Sequence, residues 1–150
     1  MSGGFLRIRF VDDYDGSGEL IAHAGSNRFS GIGRAYFNTD TIAAFATAIA
    51  AFPLSNDARP MITGGFSTTD RPDELDQEHL GITAYPIGSR GYIGVRVRMA
   101  TPLHAGERPE SRESATIEVV TTYEPLARFS RDLISMLRGN AEEAVLFEDR

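Results

Sequence analysis

One spacing of apolar residues occurs twice in this chain, and it constrains the fold more than any other feature. Two segments, 84 positions apart, each carry four apolar residues at i, i+3, i+7 and i+10: Ile42, Phe45, Ile49 and Phe52 in the first, and Leu126, Phe129, Leu133 and Met136 in the second. This spacing forms a single apolar stripe on an α-helix. The sequence therefore predicts two amphipathic helices, one ending before Pro53 and one between Pro125 and Arg138, each burying its stripe on a sheet.

Strand patterns occupy most of the remaining chain. In 5–11, apolar Leu6, Ile8 and Phe10 alternate with polar Arg7 and Arg9, which is the period of a half-buried strand. Strands are also predicted at 19–24, 28–37, 61–66, 80–87, 92–101 and 114–122, with a short strand or helical turn at 144–147. Polar loops are predicted at 67–78 and 102–112.

The order of these elements predicts the fold class. Short turns between strands favour antiparallel pairing, and two amphipathic helices are enough to cover one face of a sheet. We expect an α+β fold with a mainly antiparallel sheet of about six to eight strands and two helices covering one face. Residues 1–150 form one globular domain in this interpretation, in which 1–56 and 57–150 are candidate pseudo-repeated halves.

Composition and net charge argue against several kinds of partner and binding site. The formal charge of −6 disfavours nucleic acid as a partner, because duplex binding depends on cationic neutralisation of phosphates. The absence of cysteine excludes disulfides and thiolate metal sites. The longest uncharged stretch, 41–56, is too short to span a bilayer. These features predict a soluble, cytoplasmic protein with no cofactor and no membrane contact.

Motifs for metal or dinucleotide binding are incomplete. Residues 13–20 resemble the start of an EF-hand calcium loop, but Ala24 stands where the loop needs a bidentate glutamate. A solvated turn explains the same composition, and a weak cation site is the alternative.

The Gly31-x-Gly33 pair lies within a strand pattern and has Tyr36 in place of the third small residue of a dinucleotide fingerprint. Its glycines indicate a bulge or a close backbone approach.

No set of residues with catalytic spacing is present. His23, His79 and His104 are far apart in the sequence, and no nucleophile elbow of the G-x-S-x-G type occurs. No catalytic, cofactor-binding or metal-binding residue is therefore assigned.

Arginine supplies all fifteen basic residues, and four of them stand on the polar faces of predicted strands: Arg7, Arg9, Arg96 and Arg98. We expect these four side chains on the outer side of one sheet. They form a candidate anion-binding site for a phosphate, a carboxylate or an acidic protein surface. The alternative is a lattice of cross-strand ion pairs with Glu19, Glu113 and Glu118.

The first helix has an uncharged face opposite its apolar stripe. Between Asp40 and Asp57 no residue is charged, and the candidate interface residues on this face are all small: Ala43, Ala44, Thr47, Ala48 and Ala51. A solvent-facing helix normally carries charged residues there. We expect a homodimer through this face, with cover from the second helix or from the 67–78 loop as alternatives.

Two classes of function follow. The first is a non-enzymatic protein-interaction module that associates with itself or with another protein. An immunity-like role, in which a small acidic protein neutralises a toxin, falls within this class, although no residue carries that resemblance. The alternative is a small-anion-binding protein or an enzyme whose site combines scattered Arg, Asp and His residues.

Overall fold

The computed structural model describes residues 3–68, 70–71 and 74–150. Strands and helices follow one another as β1 (Phe5–Asp12), β2 (Ser17–Gly25), β3 (Ser30–Asn38), α1 (Thr39–Ile49), β4 (Met61–Ser67), β5 (Leu75–Ile87), β6 (Tyr92–Ala100), β7 (Ser114–Thr122), α2 (Tyr123–Leu137) and β8 (Glu143–Phe147). A single 3-10 turn at Pro109–Ser111 interrupts the long connection before β7.

The strands form two antiparallel sheets of four. The first sheet has the order β3-β2-β1-β8 and the second has the order β4-β5-β6-β7. The predicted α+β class, the antiparallel pairing and the strand number are confirmed. The strands divide between two sheets, however, and each helix contacts strands of both.

Two structural halves, β1–β4 and β5–β8, complete each other's sheets. Strand β4 lies within the 57–150 segment of the sequence but belongs to the first structural half. The meander β1–β3 is followed by α1, and the next strand, β4, then pairs with β5 in the second sheet. The meander β5–β7 is followed by α2, and β8 then pairs with β1 in the first sheet. The offset of 84 positions that relates the helical stripes also relates β3 to β7 and the first residue of α1 to that of α2.

The core lies between the inner faces of the sheets and the helices. The α2 stripe is fully buried as predicted, and Phe129 is only 1% exposed. Ile42, Phe45 and Ile49 bury the α1 stripe. The helices contact each other, and the Ser130 hydroxyl donates a hydrogen bond to the Ala46 carbonyl at 2.5 Å.

The predicted burial of Phe52 is wrong. Helix α1 ends at Ile49, so Phe52 lies beyond the helix, where its side chain is 78% exposed. Its ring packs edge-on against Tyr123, with ring centroids 4.8 Å apart. The stripe is shortened because the chain turns away from the helix axis before Pro53.

The prediction of a loop at 67–78 is also wrong in part. Strand β5 begins at Leu75 and pairs with β4 through Phe66↔Gln77 and Ser67↔Leu75, with two register shifts along the ladder. Thr69, Pro72 and Asp73 lie outside the described residues. The extension was missed because Asp76, Gln77 and Glu78 are polar and show no apolar alternation. The side chain of Gln77 donates a hydrogen bond to the Leu103 carbonyl at 2.7 Å, a contact between segments distant in sequence.

Strand β3 crosses the inner face of the second sheet and contacts each of its four strands. A Cβ atom at Gly33 would lie 2.8 Å from Met99 Cγ and 2.9 Å from the His79 carbonyl oxygen. The missing side chain therefore permits the close approach of the two sheets. None of the described helices has the length and apolar character needed to cross a membrane.

Candidate functional site

The four arginines expected on one sheet face lie on two different sheets. Arg7 and Arg9 are on the outer face of the first sheet, whereas Arg96 and Arg98 are on the outer face of the second. The prediction of a single four-arginine site is therefore wrong. The alternation within each strand was read correctly, but the assignment of β1 and β6 to one sheet was not.

The outer face of the first sheet, which we call the open face, lies on the side away from the core and the helices. It combines hydrophobic and charged side chains in cross-strand rows: Arg7 with His23, Ile32 and Val145, and Arg9 with Ile21, Arg34 and Glu143. Arg7 pairs with Glu143 at 3.2 Å and Arg34 pairs with Glu19 at 3.7 Å. Among the described residues, no carboxylate lies within ion-pair distance of Arg9. With Glu19 of the neighbouring row included, three arginines on this part of the face meet two carboxylates.

Strand β3 borders the open face and carries exposed hydrophobic residues. Phe29, just before the strand, is 69% exposed, and Ile32 and Tyr36 are 56% and 66% exposed. No other described strand pairs with the far edge of β3. A groove of about 250 Å³ runs beside the start of β3, where Ser30, Gly31 and Ile32 face residues 99–101 and 113–115. Sequence patterns could not reveal this groove, because they do not show which strand ends a sheet.

The outer face of the second sheet contains a pocket that we call the arginine pocket, about 530 Å³ in volume and lined by Asn56, Arg59, Met61, Thr83, Tyr85, Arg96 and Arg98. It includes two of the predicted arginines and adds Arg59, which precedes β4 and which strand patterning missed. Burial and the hydrogen bond that Tyr85 donates to Glu118 raise the pKa of Tyr85 to about 12.

Two histidines meet around Phe66. The His79 and His104 rings lie 4.5 Å and 5.6 Å from the Phe66 ring, between centroids. His79 is buried, and its Nε2 lies 3.1 Å from the Gln77 side-chain oxygen. Burial, then the nearby positive charges of Arg112 and His104, lower the pKa of His79. A neutral, packed imidazole beside an amide has the character of a structural residue.

The segment that resembles an EF-hand start forms the β1–β2 turn. Asp12 accepts a hydrogen bond from the Tyr14 amide, and Asp15 accepts bonds from the hydroxyl and amide of Ser17, which lower the pKa of Asp15. Tyr14 and Gly16 both have positive φ, as a tight turn requires. Within the described parts of the chain, no three His, Asp or Glu side chains cluster as a metal site would need.

The small-residue face of α1 is only partly free. Ala44, Thr47 and Ala51 are exposed, whereas Ala43 and Ala48 are half-buried. Thr47 donates its hydroxyl to the Ala43 carbonyl. This face offers a partner only methyl groups and one hydroxyl. The homodimer through it stays a prediction.

Comparison of the chain with protein-family models, curated proteins and solved structures finds no match. Function must therefore be argued from the surfaces just described.

Proposed function

We propose that this chain is a protein-interaction module that binds an extended segment of another protein along β3. The observation that carries the proposal is the combination, on one edge strand, of an unpaired edge, an adjoining groove and the exposed side chains of Ile32 and Tyr36. An edge strand with these properties is a template for strand addition, in which main-chain hydrogen bonds supply affinity and side-chain contacts supply specificity.

The surplus positive charge of the open face favours a partner segment with acidic side chains. Tyrosine and arginine are residues that interfaces favour. Tyr36 and Arg34 lie on β3, on the same face as Arg9, which has no carboxylate within ion-pair distance among the described residues. An acidic side chain flanked by apolar ones complements this arrangement. A second copy would bring the same surplus positive charge to the interface, so we favour a different protein over self-association through this face.

The test uses peptides selected by display on the immobilised full chain. We expect the enriched peptides to alternate apolar and acidic residues, and to lose at least about tenfold in affinity for the Tyr36→Asp variant. Tyr14→Asp is the matched control, since Tyr14 is 91% exposed at the β1–β2 turn, away from the groove. Equal binding to both variants, or no enriched peptide, would overturn the proposal.

Light scattering on these three proteins and on the Ala48→Glu variant tests self-association. A monomer in all four cases would support a different protein as the partner. A dimer that Tyr36→Asp dissociates would make the partner a second copy, and a dimer that Ala48→Glu dissociates would instead support the α1 interface.

A further inference from the structure

The arginine pocket lies on the outer face of the second sheet, which does not include β3. Three guanidinium groups line it together with Asn56, Thr83, Tyr85 and Met61. Arg96 and Arg98 project from the same side of β6, two residues apart, and Arg59 comes from the connection before β4. Strand pairing thus brings together cations from separate parts of the chain.

Two of these guanidinium groups are fixed by neighbouring groups. Arg98 donates from Nε to Glu78 at 2.8 Å and from one terminal nitrogen to the Thr83 hydroxyl at 3.2 Å. Arg59 donates from Nε and a terminal nitrogen to the Asn56 side-chain oxygen, and its guanidinium carbon lies 4.5 Å from the centre of the Tyr85 ring. Fixed donors lose less side-chain entropy when a ligand binds.

Positive charge in the pocket is only partly neutralised. Glu78 is paired with Arg98. Glu118, the cross-strand neighbour of Arg96, instead accepts the hydrogen bond of Tyr85. Among the described residues, no carboxylate lies within ion-pair distance of Arg59 or Arg96. Three cations therefore face two carboxylates in a protein whose formal charge is −6.

We propose that the arginine pocket binds the oxyanion group, phosphate or carboxylate, of a small organic ligand. Arg96 and Arg59 donate to the anion, because guanidinium groups match the planar oxygen pairs of these groups. Met61, which is 59% exposed, and the Tyr85 ring provide apolar surface for the organic part. The site binds such a ligand whether or not β3 binds a protein.

Calorimetric titration of the full chain tests this site with phenyl phosphate, benzoate and inorganic phosphate at equal ionic strength. We expect phenyl phosphate to bind more tightly than inorganic phosphate, because only the former uses Met61 and Tyr85. Comparison of phenyl phosphate with benzoate distinguishes a phosphate site from a carboxylate site. Binding of neither aromatic probe to the wild-type chain would overturn the proposal.

Variants locate the site. We expect Arg96→Gln and Arg59→Gln each to weaken phenyl phosphate binding by at least about tenfold, a loss typical of removing a charge-assisted hydrogen bond. Arg9→Gln is the matched control, since Arg9 also lacks a carboxylate partner but lies on the other sheet. An equal loss in all three variants would indicate a general charge effect and would contradict the site. Thermal unfolding confirms that each variant is folded before titration.

Discussion

Burial of single side chains distinguishes residues that the sequence pattern treats alike. Phe129 and Phe52 both stand in a helical stripe, but Phe129 is buried and Phe52 is exposed. We predict that Phe129→Ala lowers the free energy of unfolding by about 3–5 kcal/mol, through lost burial and the cavity left behind. Phe52→Ala should cost less than about 1.5 kcal/mol, because it removes only an edge contact with Tyr123. Urea denaturation of both variants measures the difference, and equal losses would contradict the assignment.

Tyr85 gives the clearest prediction of pH dependence. Its pKa is raised from 10.0 to about 12, first by burial and then by Glu118. The unfolded chain releases this proton near the lower value, while the folded chain keeps it until the higher one. The contribution of Tyr85 to stability is thus fully present below pH 10.0 and is lost as the pH rises through about 12.

Absorbance titration of the tyrosines tests this prediction. One of the five tyrosines should ionise near pH 12 in the folded chain. The Glu118→Gln variant should bring that ionisation to lower pH, because the neutral amide no longer opposes the phenolate. A Tyr85→Phe chain that still shows the late ionisation would assign it to another tyrosine.

Among the elements, the crossing of β3 over the second sheet depends on glycine. We predict that Gly33→Ala lowers the free energy of unfolding by about 1–3 kcal/mol, since an added Cβ forces Met99 and the His79 backbone to move. Gly31→Ala should cost less, because its Cβ would meet the Ala115 Cβ at 3.0 Å and otherwise only the flexible end of Met99. Thermal unfolding compares the two variants, and a tolerated Gly33→Ala would show that the sheets have room to separate.

The spacing of apolar residues correctly predicted those helices and strands whose position depends on the local sequence alone. Strand β7 occupies 114–122, as expected, and α2 buries all four members of its stripe. Alternation also placed Arg7 and Arg9 together and Arg96 and Arg98 together. It could not assign these pairs to different sheets, because strand pairing joins segments distant in sequence. Arg59 was missed because it lies outside any strand. Strand β3 could not be recognised as an edge strand, because strand order also depends on pairing between segments distant in sequence.

In the whole molecule, each half supplies the fourth strand of the other's sheet. Without β8 the first sheet would expose the long edge of β1, and without β4 the second would expose that of β5. A single hydrophobic cluster joins residues from both sheets and both helices. We therefore predict that neither half folds alone. A protease site inserted between β4 and β5 allows a test on the folded chain.

After cleavage, the two fragments should remain together at the mass of the intact chain and unfold in one transition. Each fragment, once separated in denaturant and returned to buffer, should show no cooperative unfolding, and mixing them should restore it. A cooperative transition in either fragment alone would show that the exchanged strand is dispensable for that half.

The central claim is that β3 is the partner-binding strand, and hydrogen exchange on the chain with and without a selected peptide tests it most directly. We predict that binding slows exchange at the β3 amides that do not bond to β2, within Ser30–Asn38, and leaves α1 unchanged. Slowed exchange confined to Thr39–Ile49, with β3 unaffected, would contradict the claim and move the interface to the small-residue face of α1.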